Sequence, residues 1–104
     1  MAQFDVYLNP IAAARGAYPL VVALQSDIAL NARDQIVAPL VPRPLLPKIA
    51  GRLMPVVELS AGSYVALVPA LASVRSRDLS QPLSSLSAAR GELLAAVDFL
   101  FFGV

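Results

Sequence analysis

Residues 86–104 read LSAARGELLAAVDFLFFGV. Projected at about 100° per residue, Leu86, Ala89, Leu93, Val97, Leu100 and Phe101 fall on one arc. That stripe predicts an α-helix that lays one face on a core, with Ser87 as its N-cap. Phe99 and Phe102 project to the opposite side, near Glu92, Ala95 and Asp98. The phenylalanines therefore divide. Phe101 is expected in the core, while Phe99 and Phe102 are expected to point outward, beside Gly103 and Val104, as a contact patch.

Upstream of this helix the periodicity is that of strands. Residues 3–8 alternate, with Phe4, Val6 and Leu8 on one side and Gln3, Asp5 and Tyr7 on the other, which reads as a half-buried strand. Asn9-Pro10 breaks it, and a loop runs to Gly16. LVVAL at 20–24 is continuous and branched, the pattern of a more deeply buried strand. DQIVAPL at 34–40 reads as a third strand, with Pro39 marking an edge or an end. The stretch VPRPLLPKIAGRLMP at 41–55 holds four prolines and reads as a constrained connection with one helical turn. Residues 56–59 and 64–68 flank SAGS, a hairpin with a four-residue loop. Residues 72–77 give one more short strand, with Arg75 and Arg77 sharing a solvated face. Strands followed by one helix, without βαβ alternation, predict a mainly β (α+β) domain in which an antiparallel sheet carries the helix.

The bulk numbers bound the function. A chain of 104 residues reads as one domain, 1–104. It is 58% hydrophobic and 14% charged, against an average near 25% charged. That excludes disorder and leaves two options, a membrane segment or surface hidden in an oligomer. A spanning helix needs about 20 mostly apolar residues. The charge-free stretch 59–74 is interrupted by Gly62 and Pro69, and 93–104 contains Asp98. The opening MAQFDVYLN has no basic start and no apolar run, so no signal peptide is expected. The expectation is a cytoplasmic protein that self-associates and does not meet a membrane.

Net charge is +1 with no basic patch, which argues against direct nucleic-acid binding. Cysteine and histidine are both absent. That removes thiolate chemistry, the commonest general base and the commonest transition-metal ligand. The glycines at 16, 51, 62, 91 and 103 are dispersed, so no phosphate-binding loop is read. Asp27 and Asp34 read as turn caps, and Glu92 and Asp98 stand too far apart on a helix to share a metal. No catalytic constellation is expected, and no metal or organic cofactor. LQSDIALN at 24–31 reads as a strand leaving into a polar turn with hydrophobic anchors at Ile28 and Leu30.

Five segments in this order, QFDVY at 3–7, LQSDI at 24–28, PVVEL at 55–59 with its hairpin, ALASV at 70–74 and DFLFFGV at 98–104, resemble the CcdB family of bacterial toxins over nearly the whole chain. The resemblance implies an SH3-like barrel: a five-stranded antiparallel sheet, a small accessory sheet and a C-terminal helix. It implies a homodimer that binds the A chain of DNA gyrase, traps the cleaved DNA–gyrase complex, and is neutralised by a CcdA-like antitoxin whose disordered segment folds on binding. By residue, the implied gyrase-binding tip is Phe102, Gly103 and Val104 with Phe101 and Asp98 beside it, and Ile28 and Ala29 from the turn after the second strand. Family members often carry tryptophan where Phe102 stands, a larger aliphatic where Val104 stands and a neutral amide where Asp98 stands. Two other readings use the same residues. One is an endoribonuclease toxin of related fold, which would need an acid–base pair and a basic groove. The other is a homologue that keeps only antitoxin binding and acts in transcription regulation.

Overall fold

A computed structural model describes residues 3–26, 33–45 and 51–103. The strands are β1 (Asp5–Leu8), β2 (Leu20–Ala23), β3 (Asp34–Pro42), β4 (Val56–Leu59), β5 (Gly62–Ala66), β6 (Ala72–Arg75) and β7 (Ser84–Ser85), followed by one helix, α1 (Arg90–Phe102). Every pairing is antiparallel, and the strands join in the order β4-β5-β3-β2-β1-β7, with β6 added against β3. The sheet curls into a nearly closed barrel with the helix on it, the SH3-like architecture. The expected five-stranded and accessory sheets are one connected sheet from which β6 branches.

β3 is the spine. It pairs with β2 over 37–40, with β6 over 34–37 and with β5 over 40–42. Pro39 is therefore neither at an edge nor at an end; it sits inside the central strand opposite Val21. Its carbonyl accepts from the Leu67 N–H at 2.9 Å. In an antiparallel strand a residue's N and C=O face the same neighbour, so the ring nitrogen points where β6 has ended and β5 has just begun. No donor is needed at that handover, which is why proline fits there.

The barrel buries both faces of its central strands. One cluster holds Phe4, Val6, Val22, Ala38, Leu40, Val57, Val68 and Leu86, closed by Leu93 and Ala96 of α1. A smaller one on the other face holds Tyr7, Val21, Ala23 and Val37, with Val74 and Leu79 packed against it. β1 is thus not half-buried in the expected sense: Tyr7 is buried and Leu8 is exposed. Alternation forecasts one wet face, but β6 and Leu79 cover it. Before β1, Phe4 adopts φ 69, a left-handed backbone that costs a bulky residue on the order of 1 kcal/mol or more. Its N–H reaches the Ala23 carbonyl at 2.7 Å and its carbonyl takes the Leu86 N–H at 2.8 Å, tying β2 to the helix entrance.

Other local expectations shift in detail. The hairpin turn is two residues, Ser60 and Ala61, because Leu59 pairs with Gly62; Gly62 at φ 134 supplies the conformation. Among its described residues the proline-rich connection forms two short 3-10 turns, Arg43–Leu45 and Gly51–Leu53. β6 stops at Arg75, and Arg77 leaves the strand in a 3-10 turn, Ser76–Asp78, so the two arginines do not share a strand face. Arg75 instead meets Asp34 at 3.5 Å; Asp34 opens β3 rather than capping a turn, and Asp27 lies outside the described residues. Helical winding begins with a 3-10 turn at Ser87–Ala89 before α1. Ser87 makes no side-chain cap; its N–H is taken by the Ser85 hydroxyl oxygen at 3.2 Å.

The Tyr7 hydroxyl is buried with no hydrogen-bond partner among the described residues. Burial, and then the nearby Asp5 charge, raise its pKa from the ordinary 10.0. Below that value both folded and unfolded chains hold the proton, so Tyr7 adds no pH dependence. Above it only the unfolded chain ionises, and stability falls. Tyr7→Phe is expected to raise stability by about 1 kcal/mol near neutrality by removing the unpaired hydroxyl. It should also flatten the loss above pH 10, as chemical denaturation across an alkaline pH series would reveal.

Candidate functional site

On α1 the direction to the core is set by Leu93 and Ala96, both fully buried. Ala96 is a core contact that the sequence arc omits. At about 100° per residue, Phe102 lies about 180° from Leu93. Phe99 and Phe101 lie about 120° and 80° away, one on each flank. The accessibilities follow this phase: Phe102 is 74% exposed and Phe101 61%. The expectation that Phe101 is core is therefore corrected. It occupies the edge of the apolar arc in the final turn, where the sheet offers less to cover it.

Phe101 leans over a groove instead. With Phe4, Leu24, Ile36, Leu71, Leu94 and Val97 it lines an open apolar hollow of about 290 Å³. Phe99, expected outward, is half-buried. The Arg52 guanidinium, carried on the Gly51–Leu53 turn, lies 4.4 Å from its ring centroid, a cation–π contact. No local signal announces that pairing, because the partners are far apart in sequence.

Gly103 ends the helix. It takes φ 73 and ψ 18, and its N–H donates to the Phe99 carbonyl at 3.0 Å, the left-handed C-cap that favours glycine. A Cβ added there would meet nothing within 4 Å, so backbone conformation, not space, asks for glycine. Asp98 is exposed on the same side as Phe102. The described part of the tail therefore gathers Phe101, Phe102, Gly103 and Asp98 in the last turn. Ile28, Ala29 and Val104 lie outside the described residues.

Two large rings stand in water beside a residue without a side chain, on a helix whose opposite face is anchored. Among the described residues no group of three or more Asp, Glu, His or Cys could hold a metal ion, and no helix is long and apolar enough to cross a membrane.

A family model described as CcdB protein matches residues 3–103. No curated protein matches the chain.

The two flanks and the core face separate by stability. Leu93→Ala is expected to cost about 2–5 kcal/mol, and Phe101→Ala only about 0.5–1 kcal/mol. Gly103→Ala should lose about 1–2 kcal/mol to backbone strain at the cap. Thermal melting of the three variants ranks them; a Phe101→Ala loss as large as that of Leu93→Ala would place Phe101 back in the core.

Proposed function

The chain belongs to the CcdB family, a membership that supports a toxin of a toxin–antitoxin module, and from that premise we propose that it binds the A chain of DNA gyrase and traps the cleaved DNA–gyrase complex. The observation that carries the proposal is the exposed last turn of α1, where Phe102 stands 74% exposed next to the left-handed Gly103. An aromatic ring at the centre of an interface buries a large area with little loss of conformational freedom. The glycine beside it lets a partner's backbone approach. The proposal gives Phe102, Gly103 and Val104 the central contacts, with Phe101, Asp98, Ile28 and Ala29 around them. Poisoning of this kind is binding without chemistry, so the protein acts as a wedge rather than an enzyme. It acts in the cytoplasm, and a CcdA-like antitoxin neutralises it.

The same proposal makes the protein a homodimer. The groove beside Phe101 is open and lined by apolar residues from β3 and α1, with Phe4 just before β1 and Leu24 just after β2. A second copy covering it would hide the surface that a 58% hydrophobic composition leaves over. Obligate homodimer interfaces commonly exceed about 2,000 Å² and resemble a core, which suits this lining. Dimerisation through the groove would bring two tails together into one larger patch.

Two measurements test these readings separately. Phe102→Ala should melt within about 0.5 kcal/mol of the parent yet weaken binding to a fragment of the gyrase A chain by about 2 kcal/mol or more. Unchanged binding would remove the tail from the contact. Light scattering should give twice the 10.9 kDa chain mass, and Phe101→Glu should shift it to one chain mass; a parent that is monomeric at all accessible concentrations refutes the dimer. RNA cleavage by the purified protein, with no effect on gyrase, would favour the ribonuclease reading.

A further inference from the structure

Two grooves run along the outer side of α1, away from the Phe101 hollow. The first, about 260 Å³, lies between β4 and the residues leading into the helix, with Val57 and Leu86 in its lining and Glu58 and Glu92 from its two sides. The second, about 410 Å³, lies between the Gly51–Leu53 turn and α1, over Pro55 and Ala95, and carries Arg52. Val56 and Glu92 line both grooves, so the two form one track.

Backbone and charge give the track a chemistry. β4 ends the sheet order and has β5 on one side only. The Pro55 carbonyl accepts from the Ala66 N–H at 2.9 Å. Alternation then turns the polar backbone groups of Val57 toward β5 and those of Val56 and Glu58 away from it. An extended chain laid beside β4 can hydrogen-bond to them, as a strand added to a sheet edge. The side-chain charges are separated. Glu58 and Glu92 both line the first groove, Glu92 stands where the two grooves meet, and Arg52, over Phe99, belongs to the second groove only. Among the described residues neither Glu92 nor Arg52 is in an ion pair. From Glu92 to Phe99 is about 10 Å along the helix, the reach of roughly three extended residues.

We propose that this track binds an extended segment of a partner protein with a lysine or arginine at one end, about three aliphatic residues in the middle and an aspartate or glutamate at the other. The cation sits between Glu58 and Glu92, the aliphatic residues lie over Val56, Pro55 and Ala95, and the acid meets Arg52. Charge order sets the direction of the bound chain. On α1 the track is lined by Glu92 and Ala95, and Phe101, Phe102 and Gly103 are not in its lining, so it is a second surface beyond the one proposed for gyrase, and both can be filled at once.

The test uses ¹⁵N-labelled protein and two capped peptides of one composition. The first carries two lysines, then Val-Leu-Val, then two glutamates; the second carries the same residues with the charges alternating. The expected result is saturable shifts at the amides of Val56, Glu58, Glu92 and Ala95, with the first peptide about fivefold tighter, as two exposed charge contacts predict. Glu58→Lys together with Glu92→Lys should weaken it by a similar factor, whereas Phe102→Ala should leave it unchanged. Equal affinities for the two peptides, insensitivity to the double charge reversal, or no shifts at these amides would each overturn the proposal. So would self-association of the protein through β4 without peptide. Because Phe102→Ala is silent here and decisive for gyrase, either reading can fail without the other.

Discussion

Leu93 and Ala96 close a sheet that cannot close itself. Its end strands, β4 and β7, do not pair with each other, and the larger core would lie open between them without the helix. Both residues are fully buried, in one cluster with side chains from β1, β2, β3, β4 and β5. Ala96 matters by being small, since it lets the helix axis come close to the sheet. Once that face of α1 is committed, every other face is defined by its angle from it. One flank overhangs the apolar hollow, the other lies under Arg52, and the far side is left to solvent.

A 13-residue helix thus presents three environments. Buried and exposed positions are separated by phase, not by distance, so adjacent residues have unrelated surroundings. Phe101 and Phe102 are neighbours in sequence but face the hollow and open water respectively. The weak amphipathicity of α1 has the same origin. A helix that carries apolar residues toward a core on one side and large rings on the others cannot keep a clean polar face.

What is legible in the sequence is local. The strands at 20–23 and 34–42 and the helix at 90–102 follow from branched runs and a 3.6-residue period. What is not legible depends on elements far apart in the chain. Pro39 is tolerated because β3 changes neighbours there, and no residue near it says so. Tyr7 is buried and Leu8 exposed because β6 and Leu79, about 70 residues later, cover one face of β1. The tail is legible as aromatic, but the helical phase overstates the burial of Phe101, because a helical wheel does not tell where the sheet beneath it ends. Arg52 gives no sign of its role because its target ring is supplied by another element. The apolar composition signals surplus apolar surface, and the open apolar hollow at Phe101 is part of it.

The pairing of β1 with β7 joins residues nearly eighty positions apart, and the helix that completes the core follows β7. During synthesis at about 5–20 residues per second, Leu93 leaves the ribosome roughly 5–18 seconds after Phe4. Through that interval β1 has neither its last neighbour nor its lid. The segment that finishes the core is also the one that carries the outward rings. A nascent chain therefore cannot present its tail on a finished barrel before the barrel exists. Order of synthesis thus delays the folded display of these rings until translation has reached the end of α1.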